Sequence, residues 1–167
     1  IATFGAQRGH ILVITPTLAA ARNVAEGMRR SGVRVALHPD GWARGAAGCS
    51  IVGTRTAVFA PVVGLSAVVV IDEHDEALQN EGSPTWNARE IAIERGRRSG
   101  VPVVLVSPVP TLEATAAAAA AGGAPLSFGR NVERAGWATI EVVDRREEDV
   151  ARSGLYSPAV VRALQSG

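Results

Sequence analysis

Lysine is absent from this sequence, and all 17 of its basic residues are arginine. The phosphate-binding loop of many nucleoside triphosphatases, G-x-x-x-x-G-K-[ST], requires a lysine that reaches the β- and γ-phosphates. These 167 residues cannot supply that group. The sequence therefore excludes a complete triphosphate site of this type within the chain itself.

Cysteine and long apolar runs are also scarce. Cysteine occurs once, at Cys49, which excludes an internal disulfide and a cysteine-based zinc site and predicts a reducing, cytoplasmic environment. No stretch approaches the ~20 apolar residues that span a bilayer, and no signal peptide is recognisable. The net charge of +1 gives no overall field that would attract nucleic acid, so any basic surface must be local. The chain begins without methionine in what resembles the end of a helix, so we expect it to be part of a longer protein.

The residues that are present predict a folded α/β domain. Hydrophobic residues make up 47% of the chain and charged residues 20%, which is typical of a globular protein with its own core. Apolar runs predict strands at 10–15, 33–38, 49–54, 67–72, 101–107 and 137–144. Helical patterns predict helices at 16–32, 86–100, 111–123 and 157–167, with a helical turn at 55–61. This alternation of strands and helices favours a parallel sheet with right-handed crossovers.

Finer features of this pattern are also expected. The β-branched run 67–72 predicts a central strand covered on both faces, and 101–107 predicts another buried strand. In helix 86–100, we expect Trp86, Ile91 and Ile93 to face inward. Residues 39–48 are expected to form a loop, and 145–154 a charged linker.

Polar turns follow four of the predicted strands: Thr15-Pro16-Thr17, Gly53-Thr54-Arg55, Asp72–Glu76 and Ser107-Pro108. In parallel sheets, ligands bind beyond the carboxyl ends of the strands. These turns hold most of the unusual polar chemistry of the chain. We therefore expect the functional site at this edge of the sheet.

The acidic turn allows two interpretations. A hydrophobic strand that ends in Asp-Glu is typical of the motif that orients Mg²⁺ and the attacking water in nucleoside triphosphatases. The alternative is a solvated charged loop after a buried strand. The acids alone do not decide between the two.

The basic residues are similarly ambiguous. Gly53, Thr54 and Arg55 place a hydroxyl and a guanidinium where a helical turn begins, which suits an oxyanion, although a single turn of this kind also occurs without function. Trp42 is either a stacking platform for a base or a surface-packing residue. The cluster Arg95, Arg97 and Arg98 is interpreted as a solvated helix end rather than a nucleic-acid patch.

Several stretches resemble one family when they are considered in order. They are "IVGTRTAVFAP" (51–61), "IDEHDEALQNEGSPTWNAREIAIERG" (71–96), "VPVVLVSPVPTLEA" (101–114) and "GLYSPAVVRAL" (154–164). The chain is similar in these stretches to the first RecA-like lobe of superfamily 2 DNA helicases, and in detail to the PriA family of replication-restart helicases. The resemblance implies an α/β RecA-like three-layer fold with a mainly parallel central sheet, the P-loop NTPase fold without its phosphate-loop segment. It implies a partial lobe at 1–144, and a linker and helix at 145–167 that lead to an absent second lobe.

The resemblance also implies a set of functional residues. It gives DNA-backbone contacts at Thr15, Thr17, Thr54 and Arg55; catalytic roles at Glu73 and His74; and nucleotide or Mg²⁺ contacts at Asp72 and Ser107. It implies ATP and Mg²⁺ as cofactors, with zinc in another domain of the family and no dedicated metal ligands here. The implied partners are forked or single-stranded DNA and the proteins of the primosome and of replication restart, without a membrane.

Three departures from the family pattern weaken an ATPase interpretation. Aligned without gaps, Ile71 stands where the family has its magnesium aspartate, and Asp72 is one residue too late because side chains alternate along a strand. The family's S-A-T motif is Ser107-Pro108-Val109, and valine has no hydroxyl. The family's P-E-I after the first strand has Thr17 in place of the glutamate.

Three functions therefore remain open from the sequence. The favoured one is a lobe that binds DNA, with or without ATP, and has no active helicase chemistry. The second is an active 3′–5′ ATP-dependent translocase lobe whose phosphate loop lies upstream and in which Asp72 replaces the lost ligand. The third is an unrelated nucleotide-binding α/β domain.

Overall fold

The computed structural model describes residues 9–138, 140–146 and 154–165. The chain divides into two compact units, residues 1–125 and residues 126–167. Each unit is treated separately below. The expected helix end at Ile1 and most of the expected linker 145–154 lie outside the described residues.

The first unit is built on a sheet of five parallel strands. They are β1 (His10–Ile14), β2 (Val35–Leu37), β3 (Ser50–Gly53), β4 (Leu65–Ile71) and β7 (Val103–Val106), in the spatial order β2-β3-β1-β4-β7. A separate two-stranded hairpin pairs β5 (Gln79–Asn80) with β6 (Trp86–Asn87). The strands predicted at 10–15, 33–38, 49–54, 67–72 and 101–107 are all present.

Helices precede or follow these strands, and buried helix residues pack on both faces of the sheet. They are α1 (Leu18–Arg30), α2 (Trp42–Ala46), α3 (Ala88–Ser99) and α4 (Leu112–Ala120), with 3₁₀ turns at Arg55–Phe59 and Glu76–Leu78. Two apolar clusters form because side chains alternate along each strand. Leu12, Ile51 and Val70 point toward α3, whereas Val13 and Val69 point toward α1. This arrangement is the α/β three-layer fold expected of a RecA-like lobe.

Local capping explains where the helices begin. Helix α1 begins at Leu18 rather than at the predicted Pro16, because the Thr17 hydroxyl accepts a hydrogen bond from the Ala20 amide at 3.1 Å. Helix α4 begins after Thr111 in the same way. The predicted loop 39–48 contains the short helix α2, which the sequence did not indicate.

Two expectations about burial were wrong or incomplete. Strand β7 lies at the edge of the sheet, and Val104 and Val106 are 46% and 41% exposed, so it is not a buried strand. The fully buried face of α3 consists of the small residues Ala88, Ala92 and Gly96 together with Arg89, while Ile93 is only half-buried. Small residues are required there because a Cβ atom on Gly96 would lie 2.1 Å from Val103 Cγ2.

The second unit contains α5 (Arg130–Ala135) and α6 (Pro158–Gln165). The predicted helix 157–167 is confirmed over its described residues, and the Ser157 hydroxyl accepts from the Val160 amide at 3.3 Å. The described residues of the predicted strand 137–144 form no strand. Alternating polarity favours a strand only where a neighbouring strand is available to pair with it. Throughout the described ranges, every helix is too short or too polar to cross a membrane.

Candidate functional site

The four polar turns lie side by side at the carboxyl edge of the sheet, as the parallel topology requires. Strands β3, β1, β4 and β7 are consecutive neighbours, so their ends form one continuous edge. Backbone hydrogen bonds join the turns: Thr15 N donates to Gly53 O at 2.9 Å, and Glu73 N donates to Val106 O at 3.1 Å. The turns therefore form one connected surface.

The turn after β1 places its two threonines differently. The Thr15 side chain is fully buried, and its hydroxyl contacts the carbonyl oxygens of Thr17 at 3.0 Å and Gly53 at 3.3 Å. Thr15 thus holds the first two turns together and offers no surface to a ligand. Thr17 is exposed at the start of α1, where its hydroxyl oxygen caps the helix and its proton remains available as a donor.

The turn after β3 holds Thr54 and Arg55 half-buried at this edge. The Thr54 hydroxyl makes no hydrogen bond to the 3₁₀ turn that follows it. Arg55 Nη1 donates to Ala77 O at 3.4 Å, a long contact, and Arg55 Nε is buried without a partner among the described residues. Arg55 therefore connects the basic turn to the acidic turn and retains unused donor capacity.

Ile71 and Asp72 occupy very different environments at the end of β4. Ile71 is half-buried and packs on the α1 side of the sheet, opposite Val106 of β7. Asp72 has φ +52°, a left-handed conformation that redirects the chain directly after the strand. The register of β4 with β7 is continuous from Val68 through Ile71, and the irregularity in the pairing of β4 with β1 falls earlier, between Leu65 and Ala67, so no bulge lies directly before this turn. Asp72 is half-buried, and no hydrogen bond or ion pair to its carboxylate is found among the described residues.

The left-handed backbone predicts how position 72 responds to substitution. We expect Asp72→Val to lower the free energy of unfolding by about 1–2 kcal/mol, because β-branched residues are strained at this φ. Asp72→Gly should leave the free energy nearly unchanged, since relief of strain offsets the greater entropy of the unfolded chain. Urea denaturation of both variants measures the difference. Equal losses in the two variants would show instead that the carboxylate itself stabilises the turn.

Glu73 is 2% exposed and belongs to a buried polar network that joins β4, α3 and α4. Its Oε1 accepts from Thr111 N at 2.8 Å, and its Oε2 accepts from Thr111 Oγ1 at 2.9 Å and from Arg89 Nη1 at 3.0 Å. Burial alone would raise the pKa of Glu73, but the hydrogen bonds from Thr111 and Arg89 outweigh it and lower the pKa. Both oxygens are thus engaged by protein donors, which is the geometry of a structural ion pair rather than of a general base.

His74 and Ser107 meet across the ends of β4 and β7. The Ser107 hydroxyl lies 2.8 Å from His74 Nδ1 and accepts from Val109 N at 3.1 Å. His74 is exposed, and Val109 is 70% exposed. This contact links the acidic turn to the S-P-V turn at a position open to solvent.

Arg89 and Thr111 complete the polar network, and neither was assigned a role from the sequence. Arg89 is 8% exposed, and its Nη1 also donates to Thr111 Oγ1 at 2.8 Å. The available signal was an arginine placed beside Ala88 and three residues before Ala92, on the apolar face of α3. A charged residue on such a face needs a buried partner.

Within the described ranges, no group of three histidine, cysteine or acidic side chains comes close enough together to hold a metal ion.

The chain is similar to proteins of one name from several bacteria. No protein-family model matches it. It is 37% identical over 98 residues to replication restart protein PriA from Bacillus subtilis, which covers 59% of this chain and 12% of that relative. It is 31% identical over 119 residues to the Treponema pallidum protein of the same name, and the match covers 71% of this chain and 18% of that relative. It is 35% identical over 99 residues to the Thermotoga maritima protein, and this match covers 59% of the chain and 13% of that relative.

The matches cover most of this chain but less than a fifth of each of these three relatives. Independent relatives from several bacteria carry the same printed name, replication restart protein PriA. Over the matched residues this chain is similar to replication restart protein PriA of several bacteria, and the resemblance predicted from its motifs is confirmed.

Proposed function

We propose that this chain is part of a PriA-like replication restart protein and acts as a lobe that binds the backbone of single-stranded or forked DNA without active helicase chemistry. The observation that carries the proposal is the alignment of Thr17, Thr54 and Arg55 on one edge of the sheet in a chain similar to PriA. Contacts of this type position DNA and do not read its sequence. Thr15 supports this edge from within.

Donor availability supports a phosphate-binding role for this edge. Arg55 is half-buried, its Nε is buried, and its Nη1 makes one long contact of 3.4 Å to Ala77 O, so the outer part of the guanidinium keeps donors that can face a ligand. The Thr17 and Thr54 hydroxyls can also donate. Guanidinium and hydroxyl groups are typical ligands of phosphate oxygens. Arg97 and Arg98, in contrast, are held by Glu94 at 2.7 Å and 2.6 Å.

Salt dependence tests the DNA proposal. We expect Arg55→Gln to weaken binding of a fluorescent oligothymidylate and to reduce the slope of log K against log[salt] by about 0.7, the value for one phosphate contact on a single strand. Fluorescence anisotropy across a salt series measures both quantities. Arg98→Gln is the matched control, because it removes the same charge from an exposed, ion-paired site. Identical slopes in all three proteins would contradict the proposal.

The residues present do not fit a complete Mg²⁺–ATP site, and the proposal contains no ATP-driven step. The chain has no lysine for the phosphates, Ile71 is a half-buried apolar residue that packs against the α1-side core, and Glu73 is engaged by Thr111 and Arg89. Asp72 differs from Glu73, because none of the described residues contacts the Asp72 carboxylate by a hydrogen bond or ion pair. This feature favours the second candidate, an active ATP-dependent lobe that receives its phosphate loop from another segment.

ATP hydrolysis in the full-length protein separates the two candidates. We expect no DNA-stimulated hydrolysis, and Ile71→Asp alone should restore little, because Pro108 and Val109 remain in place of the alanine and threonine of the family's S-A-T motif, and valine lacks the threonine hydroxyl. A colorimetric phosphate-release assay with and without single-stranded DNA makes the measurement. If the wild type hydrolyses ATP in a DNA-dependent way and Asp72→Ala abolishes the activity, the active lobe is the correct function.

The proposed partners follow from the family resemblance. They are DNA and the proteins of the primosome and of replication restart, with no membrane component and in the cytoplasm. Zinc belongs to another domain of the family and has no proposed site in this chain.

A further inference from the structure

A second basic site lies at the opposite edge of the sheet from the polar turns. A cavity of about 390 Å³ is located at the amino ends of β2 and β3. Three arginines line it: Arg29 from the last turn of α1, Arg34 directly before β2, and Arg44 from α2. The rest of the lining is uncharged and consists of Val33, Val35, Ala47, Gly48 and Cys49. Among the residues that the structure describes, no carboxylate lines the cavity.

Within the described part of the chain, the three guanidinium groups have no acidic partner. Among the described residues none of them forms an ion pair, whereas nearby Arg30 pairs with Glu26 at 3.7 Å. Arg29 Nη2 makes only a long contact to Val35 O at 3.5 Å. Three unpaired cations around one cavity repel each other, and a bound anion would relieve that repulsion.

The floor of the cavity is compatible with an anion. Cys49 is 8% exposed; burial raises the pKa of its thiol, while the charges of Arg34 and Arg44 act in the opposite direction. The thiol therefore stays neutral and does not compete for the guanidinium groups at neutral pH. The carbonyl oxygens at the end of α1 are also in use, since Met28 O accepts from Val33 N at 3.0 Å and Arg29 O accepts from Gly32 N at 2.9 Å.

We propose that this cavity is a second binding site for a phosphate group, separate from the DNA-binding edge. Guanidinium groups bind phosphate oxygens in pairs, and three of them around one cavity match an anion with several oxygens better than a single carboxylate. The valines offer an apolar surface for the carbon part of the ligand. The phosphate comes either from a free phosphate compound such as a nucleotide, or from a nucleic-acid backbone that extends beyond the first site.

Calorimetric titration tests the proposal with two probes, inorganic pyrophosphate and an oligothymidylate. The cavity variant is the double substitution Arg34→Gln and Arg44→Gln. The matched control is Arg97→Gln with Arg98→Gln, which removes the same charge from α3. We expect the cavity variant to raise the Kd of at least one probe about tenfold or more, and the control to leave it unchanged. Because Arg34 and Arg44 are exposed, both variants should fold; Arg44→Gln alone provides a milder second variant.

The two probes identify the source of the phosphate. Pyrophosphate binding that depends on the cavity arginines indicates a free phosphate compound, and Arg55→Gln should not affect it. An effect confined to the oligothymidylate indicates a nucleic-acid backbone. The proposal is overturned if neither probe binds wild type saturably, or if the cavity and control variants lose equal affinity.

Discussion

Replacing Glu73 with alanine is expected to lower the free energy of unfolding by about 3–5 kcal/mol, because it leaves the Arg89 guanidinium buried without its ionic partner. Arg89 is 8% exposed, and its Nη1 donates to Glu73 Oε2 at 3.0 Å. The same substitution also removes the acceptor of the Thr111 amide at the start of α4. Urea denaturation followed by circular dichroism measures the loss.

Two further variants separate the ion pair from simple packing. Glu73→Leu combined with Arg89→Met should recover much of the stability, since no charge is then left unpaired. Glu94→Gln is the control at the surface of α3, the helix that carries Arg89. Hydrogen bonds from Arg97 and Arg98 lower the pKa of Glu94 to about 2, yet water and salt screen this surface group, so its replacement should have a much smaller effect. A double variant as unstable as Glu73→Ala would show that the packing of these side chains matters more than their charges.

The Glu73 carboxylate also makes the stability of the protein depend on pH. The pKa of Glu73 is lowered in the folded protein, so its contribution to stability is complete above the unfolded value of about 4.3 and is lost as pH falls through the folded value. We expect wild type to lose more stability than Glu73→Gln on acidification through this window. Denaturation midpoints measured at several pH values give the comparison. Parallel curves for the two proteins would assign the acid sensitivity to other groups.

Gly53→Ala is the second substitution expected to have a large effect, with a loss of about 1–3 kcal/mol. A Cβ atom at this position would lie 2.7 Å from Ala57 Cβ and 2.9 Å from His38 Cβ. The Gly53 carbonyl also accepts hydrogen bonds from Thr15 N and Thr15 Oγ1, so a displaced Gly53 would separate the first two turns of the site. We therefore expect weaker oligothymidylate binding together with the lower stability.

Gly27→Ala is the matched control for this prediction. Gly27 lies within α1, and a Cβ atom there would meet nothing within 4 Å. Alanine should therefore raise the free energy of unfolding by about 0.5–1 kcal/mol through its better helix propensity. Thermal unfolding monitored by circular dichroism gives both values. A Gly53→Ala protein as stable as Gly27→Ala would show that β3 and its turn can shift without cost.

Local signals in the sequence were sufficient for most of the first unit. The apolar runs predicted all five strands of the sheet, and the helical patterns predicted α1 and α4 to within three residues at each end. Parallel topology then placed the four turns on one edge. The predictions were wrong where a structure depends on neighbouring strands. Residues 137–144 have the alternation of a strand, but the described residues among them form no strand. Strand β7 is apolar, yet it lies at the edge of the sheet and is partly exposed.

For the candidate site, too, the sequence predicted some features and not others. The motifs predicted the family relationship and the residues of the carboxyl edge, including the loss of an acid at Ile71. They did not predict that Glu73 would be buried against Arg89 and Thr111, because these residues are 16 and 38 positions away in the chain. Nor did they predict the cavity formed by Arg29, Arg34 and Arg44, which lie on three different segments.

By itself, the sequence determined the α/β class, the absence of a phosphate-loop lysine and the relationship to PriA, because these depend on periodicity, composition and contiguous motifs. Only the tertiary structure decided which acid is engaged, which threonine is buried and which arginines share a cavity. The physical reason is that burial and pairing depend on residues distant in the chain, whose distances are fixed only when the sheet and helices pack together.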